Sequence, residues 1–210
     1  MSPIQVVVAG HGMVGARFAE EVRRHDPDGR RVRLTILAAE PRPAYNRILL
    51  PNLLAGTMKE ADFATTAVAG LPVVTGQETR SIPNGSVLHP DAPMTLRVGT
   101  TVIGIDPAGK TVLARRAAAG PDETAVVDRI GYDVLVLATG ARAVVPPLPG
   151  LLAGHPAETG NGAGSHEARL RSDDRLSADV AALHSLADAR RIAAFAQSAR
   201  RTGGRVAVLG

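Results

Sequence analysis

The chain has 210 residues, 45% of them hydrophobic but only 2% aromatic, and a formal charge of +4. That length holds one full domain, or one domain and part of another, with a core built mainly from Val, Leu, Ile and Ala. With no cysteine, structural disulfides, cysteine-ligated zinc, Fe–S clusters and a redox-active disulfide within the chain are excluded.

The positive charge is almost all arginine, since Lys59 and Lys110 are the only lysines. The arginines are scattered and do not interleave with Phe18, Tyr45, Phe63, Tyr132 and Phe195. This argues against a nucleic-acid surface, which needs a basic stripe with stacking platforms. No apolar run reaches the length of a membrane span, and the N-terminus lacks a signal-peptide pattern. The simplest placement is the cytoplasm, with no membrane partner.

Ile4 to Ala9, β-branched or apolar apart from Gln5, predicts a buried parallel strand. A glycine turn follows, Gly10-His11-Gly12-Met13-Val14-Gly15. Met13 to His25 reads as a helix, because Val14, Phe18 and Val22 recur at four-residue spacing. Asp26-Pro27-Asp28-Gly29 stops it. Val32 to Leu37 is a second strand, ending near Glu40. Asn46 to Leu54 reads as a short helix closed by Gly56. Residues 64–95 predict loops with short strands. Thr95–Val98, Thr101–Ile105 and Thr111–Ala114, with a strand near 124–129, predict a small antiparallel sheet. Val134–Ala138 is another buried strand. Residues 154–177 read as a flexible connection, and Gly160-Asn161-Gly162-Ala163-Gly164 lacks the Lys-Ser/Thr of a P-loop. Val180 to Arg201 predicts a helix ended by Gly203-Gly204, and Arg205–Leu209 begins a further β-run.

The glycine turn carries the chemistry. A lone G-x-G-x-x-G is weak, but this one follows a strand, opens a helix and precedes a second strand, the context of a dinucleotide site. Gly10 permits the tight turn, Gly12 lets a pyrophosphate approach the backbone, and Gly15 lets the helix pack close to the strands. The helix N-terminus offers free N–H groups to phosphate. Glu40, at the end of the second strand, suits hydrogen bonds from both ribose hydroxyls of an adenosine and disfavours a 2′-phosphate there. His184 and Asp188, four residues apart, would lie on one helix face; two ligands without a third make a poor metal site, so no metal is expected. No serine sits in a nucleophile-elbow pattern, and no catalytic acid or base is assigned.

Three further stretches choose between FAD and NAD. Glu40-Pro41-Arg42-Pro43-Ala44-Tyr45-Asn46-Arg47-Ile48-Leu49-Leu50 resembles a segment of the FAD/NAD(P)-dependent pyridine-nucleotide oxidoreductases, in particular the N-terminal flavin region of NAD(P)H nitrite reductase large subunits and their stand-alone reductase relatives. Leu96–Asp106 resembles the strand beside the adenine in that superfamily. Tyr132–Gly140, continuing to Pro149-Gly150, resembles its second flavin-contacting motif, and the helix near Ser185–Ile192 resembles its crossing helix.

The resemblance implies a Rossmann-like FAD-binding α/β domain, with a central parallel sheet and a small inserted antiparallel sheet, over residues 1–150. A linker over 151–179 and the start of an NAD(P)-binding domain over 180–210 would follow. It implies that Gly10, Gly12, Met13, Val14 and Gly15 surround the FAD pyrophosphate and that Glu40 holds the ribose. Asn46 and Arg47 would lie toward pyrophosphate and flavin, the Val102 backbone would meet the adenine, and Ala138, Thr139 and Gly140 would form a second wall. The function implied is hydride transfer from NAD(P)H to FAD, then electron delivery to a metal centre or protein acceptor outside this chain. The chain departs from the disulfide reductases in lacking a cysteine pair, and it stops at the first glycine of an expected second fingerprint, which reads as truncation. Two other readings stand beside this one: a non-catalytic or truncated nucleotide-binding module, and an NAD-binding dehydrogenase domain using the first fingerprint.

Overall fold

The computed structural model describes residues 2–63, 73–74, 93–116, 125–141, 143, 145–146, 151–153 and 176–208. They fall into two compact units, one of Met1–Asn46 with Ala64–Gly140, the other of Arg47–Phe63 with Ala141–Gly210. Most of the connection read at 154–177, the glycine run at 160–164 and Pro149-Gly150 lie outside the described residues.

The first unit is organised by β1 (Ile4–Ala9), whose last four residues are buried. A strand covered on both faces needs a continuous apolar run, and Val6-Val7-Val8-Ala9 supplies it. Helix α1 (Met13–His25) turns Gly15, Ala16 and Ala19 inward. Its outer face carries Arg17 paired with Glu20 and Glu21, and Arg24 paired with Glu21, exposed pairs that contribute little to stability. Strand β2 (Val32–Leu37) then pairs parallel to β1 from Ile4↔Val32 to Ala9↔Leu37. Asp26 makes the return possible. Its carboxylate accepts the backbone N–H groups of Arg30, Arg31 and Val32 at 3.1, 2.9 and 2.8 Å. Partial desolvation pushes its pKa up, but the three N–H donors and Arg31 together hold it below the usual value.

Two residues, Val73–Val74, form β3, and Met94–Arg97 form β4. With β8 (Val134–Leu137) they complete a five-stranded parallel sheet in the order β3-β4-β2-β1-β8. The sequence grouped the strand near Thr95 with the antiparallel sheet, and the structure corrects this. All four residues of β4 are buried, the pattern of a doubly covered parallel strand rather than of one that alternates. Gly99, with φ +64°, then turns the chain out of the sheet, a conformation glycine adopts without strain. Leu96–Asp106 is therefore two strands in different sheets.

The antiparallel sheet holds β5 (Thr100–Asp106), β6 (Thr111–Arg116) and β7 (Val126–Gly131), in that order. Its register shifts between Val102 and Gly104. Val112 and Ala114 pack with Val7 and Leu37, and Val102, Ile130, Tyr132 and Leu135 flank that cluster. Arg97, on β4, reaches Asp128, on β7, at 3.3 Å, with side chains only 8% and 15% exposed. A largely buried ion pair thus ties the two sheets.

In the second unit, a 3₁₀ turn at Arg47–Leu49 leads into α2 (Leu50–Leu54), so the helix expected from Asn46 is a turn followed by a short helix. It packs against α3 (Leu186–Thr202). The expected start of α3 at Val180 is also corrected. Ser185, in extended conformation, accepts the N–H of Asp188, while Asp188 accepts the Ser185 N–H, a reciprocal cap that fixes the first turn. Gly203, at φ +69°, closes the other end. The β-run expected from Arg205 is not a strand over its described part, 205–208. No named strand pairs with it, and Val206 and Val208 stand exposed. Among the described residues, no helix is long and apolar enough to cross a membrane.

Candidate dinucleotide site

The carboxyl ends of β1, β2 and β8 lie side by side, because Ala9 is in register with both Leu37 and Leu137. This is the edge of a parallel sheet where ligands of α/β folds bind. The glycine turn leaves β1 here. Gly10 takes φ +108° and donates its N–H to the Leu37 carbonyl at 2.8 Å. On the other side, the Ala138 N–H donates to the Ala9 carbonyl at 2.8 Å. A Cβ on Gly10 would run into the Ala138 carbonyl, and one on Gly15 into the Gly10 carbonyl, both closer than 3.0 Å. These two glycines are demanded by close packing of turn, helix and strand.

Gly12 differs. It is the N-cap residue of α1, makes no side-chain cap, and a Cβ there would meet nothing within 4 Å. The first turn of α1 holds no acidic residue. The helix therefore presents an N-terminus with no side-chain cap beside open space, positive by virtue of its backbone dipoles. Met13 and Val14 point outward, 45% and 72% exposed. The cradle suits a pyrophosphate: the backbone is bare where phosphate oxygens would approach, and the first turn of α1 brings no negative charge.

Glu40 lies just past β2 and is half-buried. Its carbonyl accepts the Gly99 N–H at 3.0 Å, and its carboxylate accepts the Tyr45 hydroxyl at 2.9 Å. Asn46 is half-buried at the end of the same segment. Ala138 is half-buried, while Thr139 and Gly140 are exposed, Gly140 at φ +74°. Val102 sits half-buried on β5. The sheet edge thus gathers the glycine turn, Glu40 and Ala138–Gly140, with Val102 on the adjoining antiparallel sheet. Arg47 belongs to the second unit, where its guanidinium meets His184 Nε2 at 2.9 Å.

His184 and Asp188 do not share a helix face. His184 precedes α3, and the Asp188 carboxylate is engaged in the cap, accepting from the backbone of His184 and Ser185 and from the Ser185 hydroxyl.

Two residues of the site escaped the sequence reading. Tyr45, only 5% exposed, stands in the quoted string but received no role of its own. His11, inside the glycine turn, is 8% exposed, and neither ring nitrogen has a partner among the described residues. Burial lowers its pKa from 6.5 to about 4, so the ring is neutral. A buried polar group without a partner typically costs about 1–3 kcal/mol. The signal is a titratable side chain at the first variable position of the fingerprint, beside Gly10, where a Cβ would meet the Ala138 carbonyl.

Residues 4–210 match the model of the pyridine nucleotide-disulphide oxidoreductase family. The chain belongs to that family. These 210 residues contain no cysteine. Among curated relatives, it is 32% identical to a nitrite reductase [NAD(P)H] of Bacillus subtilis over 151 residues, 71% of this chain and 15% of the relative. It is 30% identical to the assimilatory nitrate reductase electron transfer subunit of the same organism over 153 residues, 71% of this chain and 16% of the relative. The chain thus spans less than a fifth of the length of either. The family's fold is seen in an NAD-dependent persulfide reductase from A. fulgidus, with TM-score 0.59, 23% identity, and 93% of this chain and 27% of that one covered. It is seen also in the reduced CoADR-RHD protein of Bacillus anthracis, with TM-score 0.62, 18% identity, and 95% and 28% covered. At these identities the likeness is one of fold.

Proposed function

We propose that this chain is the FAD-binding portion of an NAD(P)H-dependent flavoprotein oxidoreductase of the nitrite reductase type. The supporting observation is the uncapped N-terminus of α1, open at Gly12, with Glu40 anchored at the end of the neighbouring strand. That arrangement answers a pyrophosphate and an adenosine ribose together. The family and the relatives named for NAD(P)H and for electron transfer support the reaction class.

FAD held there would supply hydride-accepting chemistry for NAD(P)H and electrons for a metal centre or protein acceptor outside this chain. The chain's own work is to bind and orient. The α1 N–H groups meet phosphate oxygens, and Gly12 leaves them room. Glu40 accepts ribose hydroxyls and, by its charge, discriminates against a 2′-phosphate. Ala138, Thr139 and Gly140 wall the opposite side. No acid or base is required of any side chain, since the cofactor carries the chemistry.

Purification tests the reading. The protein should bind FAD with a visible flavin spectrum, and NADH or NADPH should bleach it when the residues that bind the nicotinamide are present. A colourless protein that takes up no added FAD defeats the proposal. Bound FAD that does not bleach supports a binding module without reductase activity, and NAD binding without FAD would favour a dehydrogenase domain.

A further inference from the structure

The ribose subsite contains a pair that neither the family match nor the fingerprint assigns. The Tyr45 hydroxyl donates to the Glu40 carboxylate at 2.9 Å. Tyr45 is 5% exposed, so its ring is fixed and its hydroxyl with it. The Glu40 backbone is pinned too, its carbonyl accepting the Gly99 N–H and the nearby Ala38 carbonyl accepting the Thr100 N–H at 2.7 Å. A glutamate side chain otherwise loses considerable rotamer freedom when it grips a ligand. Here a buried donor holds one carboxylate oxygen in place before any ligand arrives. A phenol bound to a carboxylate is a charge-assisted pair, stronger than a neutral one.

We propose that Tyr45 is a positioning residue for adenosine recognition: its hydroxyl sets the Glu40 carboxylate in the orientation that receives the ribose hydroxyls. This rests on the reading of Glu40 as the ribose partner. It gives the Tyr45-Asn46-Arg47 string a function separate from phosphate or flavin contact. It also makes the preference for a ribose over a deoxyribose depend on a residue that need not touch the nucleotide.

The test compares ADP with 2′-deoxy-ADP, by calorimetric titration of the whole chain and of Tyr45→Phe and Glu40→Gln. The wild-type chain should prefer ADP by about ten- to a hundredfold, the range for a hydrogen bond to a charged group. Glu40→Gln should lose most of that preference. Tyr45→Phe, which keeps the buried ring, should lower it by about fivefold or more. Both ligands draw on the same folded population, so partial unfolding leaves the ratio unchanged. Should Tyr45→Phe fail to fold, the native chain labelled with 3-fluorotyrosine gives one ¹⁹F signal each for Tyr45 and Tyr132, assigned with Tyr132→Phe. The Tyr45 signal should move with ADP and move less with 2′-deoxy-ADP.

A wild-type ratio in Tyr45→Phe, with the preference lost in Glu40→Gln, overturns the positioning role and leaves the ribose reading standing. A Tyr45 signal that responds equally to both nucleotides overturns it as well. A preference that survives Glu40→Gln defeats the ribose reading itself.

Discussion

Gly10 and the Ala138 carbonyl are so close that no Cβ fits between them. The contact locks the glycine turn onto the end of β8, while Gly12, two residues on, faces open space. The two glycines therefore answer mutation differently. Gly10→Ala combines that clash with a left-handed backbone at φ +108° and should destabilise the protein by about 3 kcal/mol. Gly12→Ala should cost at most about 1 kcal/mol in urea unfolding. It should still weaken FAD at least about tenfold, because on the proposed reading the methyl group would enter the space of the phosphates. Unfolding curves beside FAD titrations separate the two. Equal losses of stability would refute the distinction.

Arg97 and Asp128 join the two sheets where water is scarce. Asp128→Ala leaves a buried guanidinium without its carboxylate and should cost about 3 kcal/mol. Replacing both residues, by Arg97→Met with Asp128→Leu, should recover most of that loss, since the desolvation penalty disappears along with the attraction. Chemical denaturation of the three proteins checks this, and a double variant no better than Asp128→Ala counts against it.

His11 makes stability pH-dependent in a defined window. Its folded pKa, about 4, lies below the ordinary 6.5. Between those values the unfolded chain takes up a proton that the folded chain refuses, so stability rises with pH across that interval. The contribution is fully present above about pH 6.5 and lost as pH falls toward about 4. With a discount for partial solvent screening, its size is about 2 kcal/mol. Denaturation of the wild type and His11→Asn at pH 7.5, 5.5 and 4.5, values of about that spacing, should show their difference shifting toward the variant as pH drops. A difference that stays constant removes His11 as its source.

The capping box of α3 predicts a smaller effect. Ser185→Ala removes the acceptor for the Asp188 N–H and should cost about 1 kcal/mol. A melting curve unchanged from wild type would show that the first turn is held by packing alone.

Much of the architecture was legible in the sequence. The runs Ile4–Ala9 and Val32–Leu37 became strands with those bounds, and the spacing of Val14, Phe18 and Val22 marked α1. These elements rest on local pattern, which a sequence states directly. Strand β4 was misassigned for a different reason. Its residues Met94-Thr95-Leu96-Arg97 alternate apolar and polar, the pattern of a half-buried antiparallel strand, and its pairing with β2 is a long-range event. The apolar side offered by Leu183, Leu186 and Ile192 suggests a helix that begins before α3 does. The decisive signal was Ser185 with Asp188, an N-cap serine with an acid three residues on. Glu40 could be read from its place after β2. The Tyr45 contact with it, and the burial of His11, depend on how the turn folds back, and no spacing rule encodes that.

The Gly10–Ala138 lock also sets an order of events in time. The glycine turn is made early in synthesis, yet its backing strand follows more than half the chain later. Until β8 docks beside β1, the turn is held by β2 through the Gly10–Leu37 hydrogen bond but lacks the Ala138 carbonyl behind it. Parallel pairings between distant segments are slow to form, because loop closure precedes any compensating contact. The fingerprint that is easiest to recognise on paper thus gains its backing only from a segment made more than half the chain later.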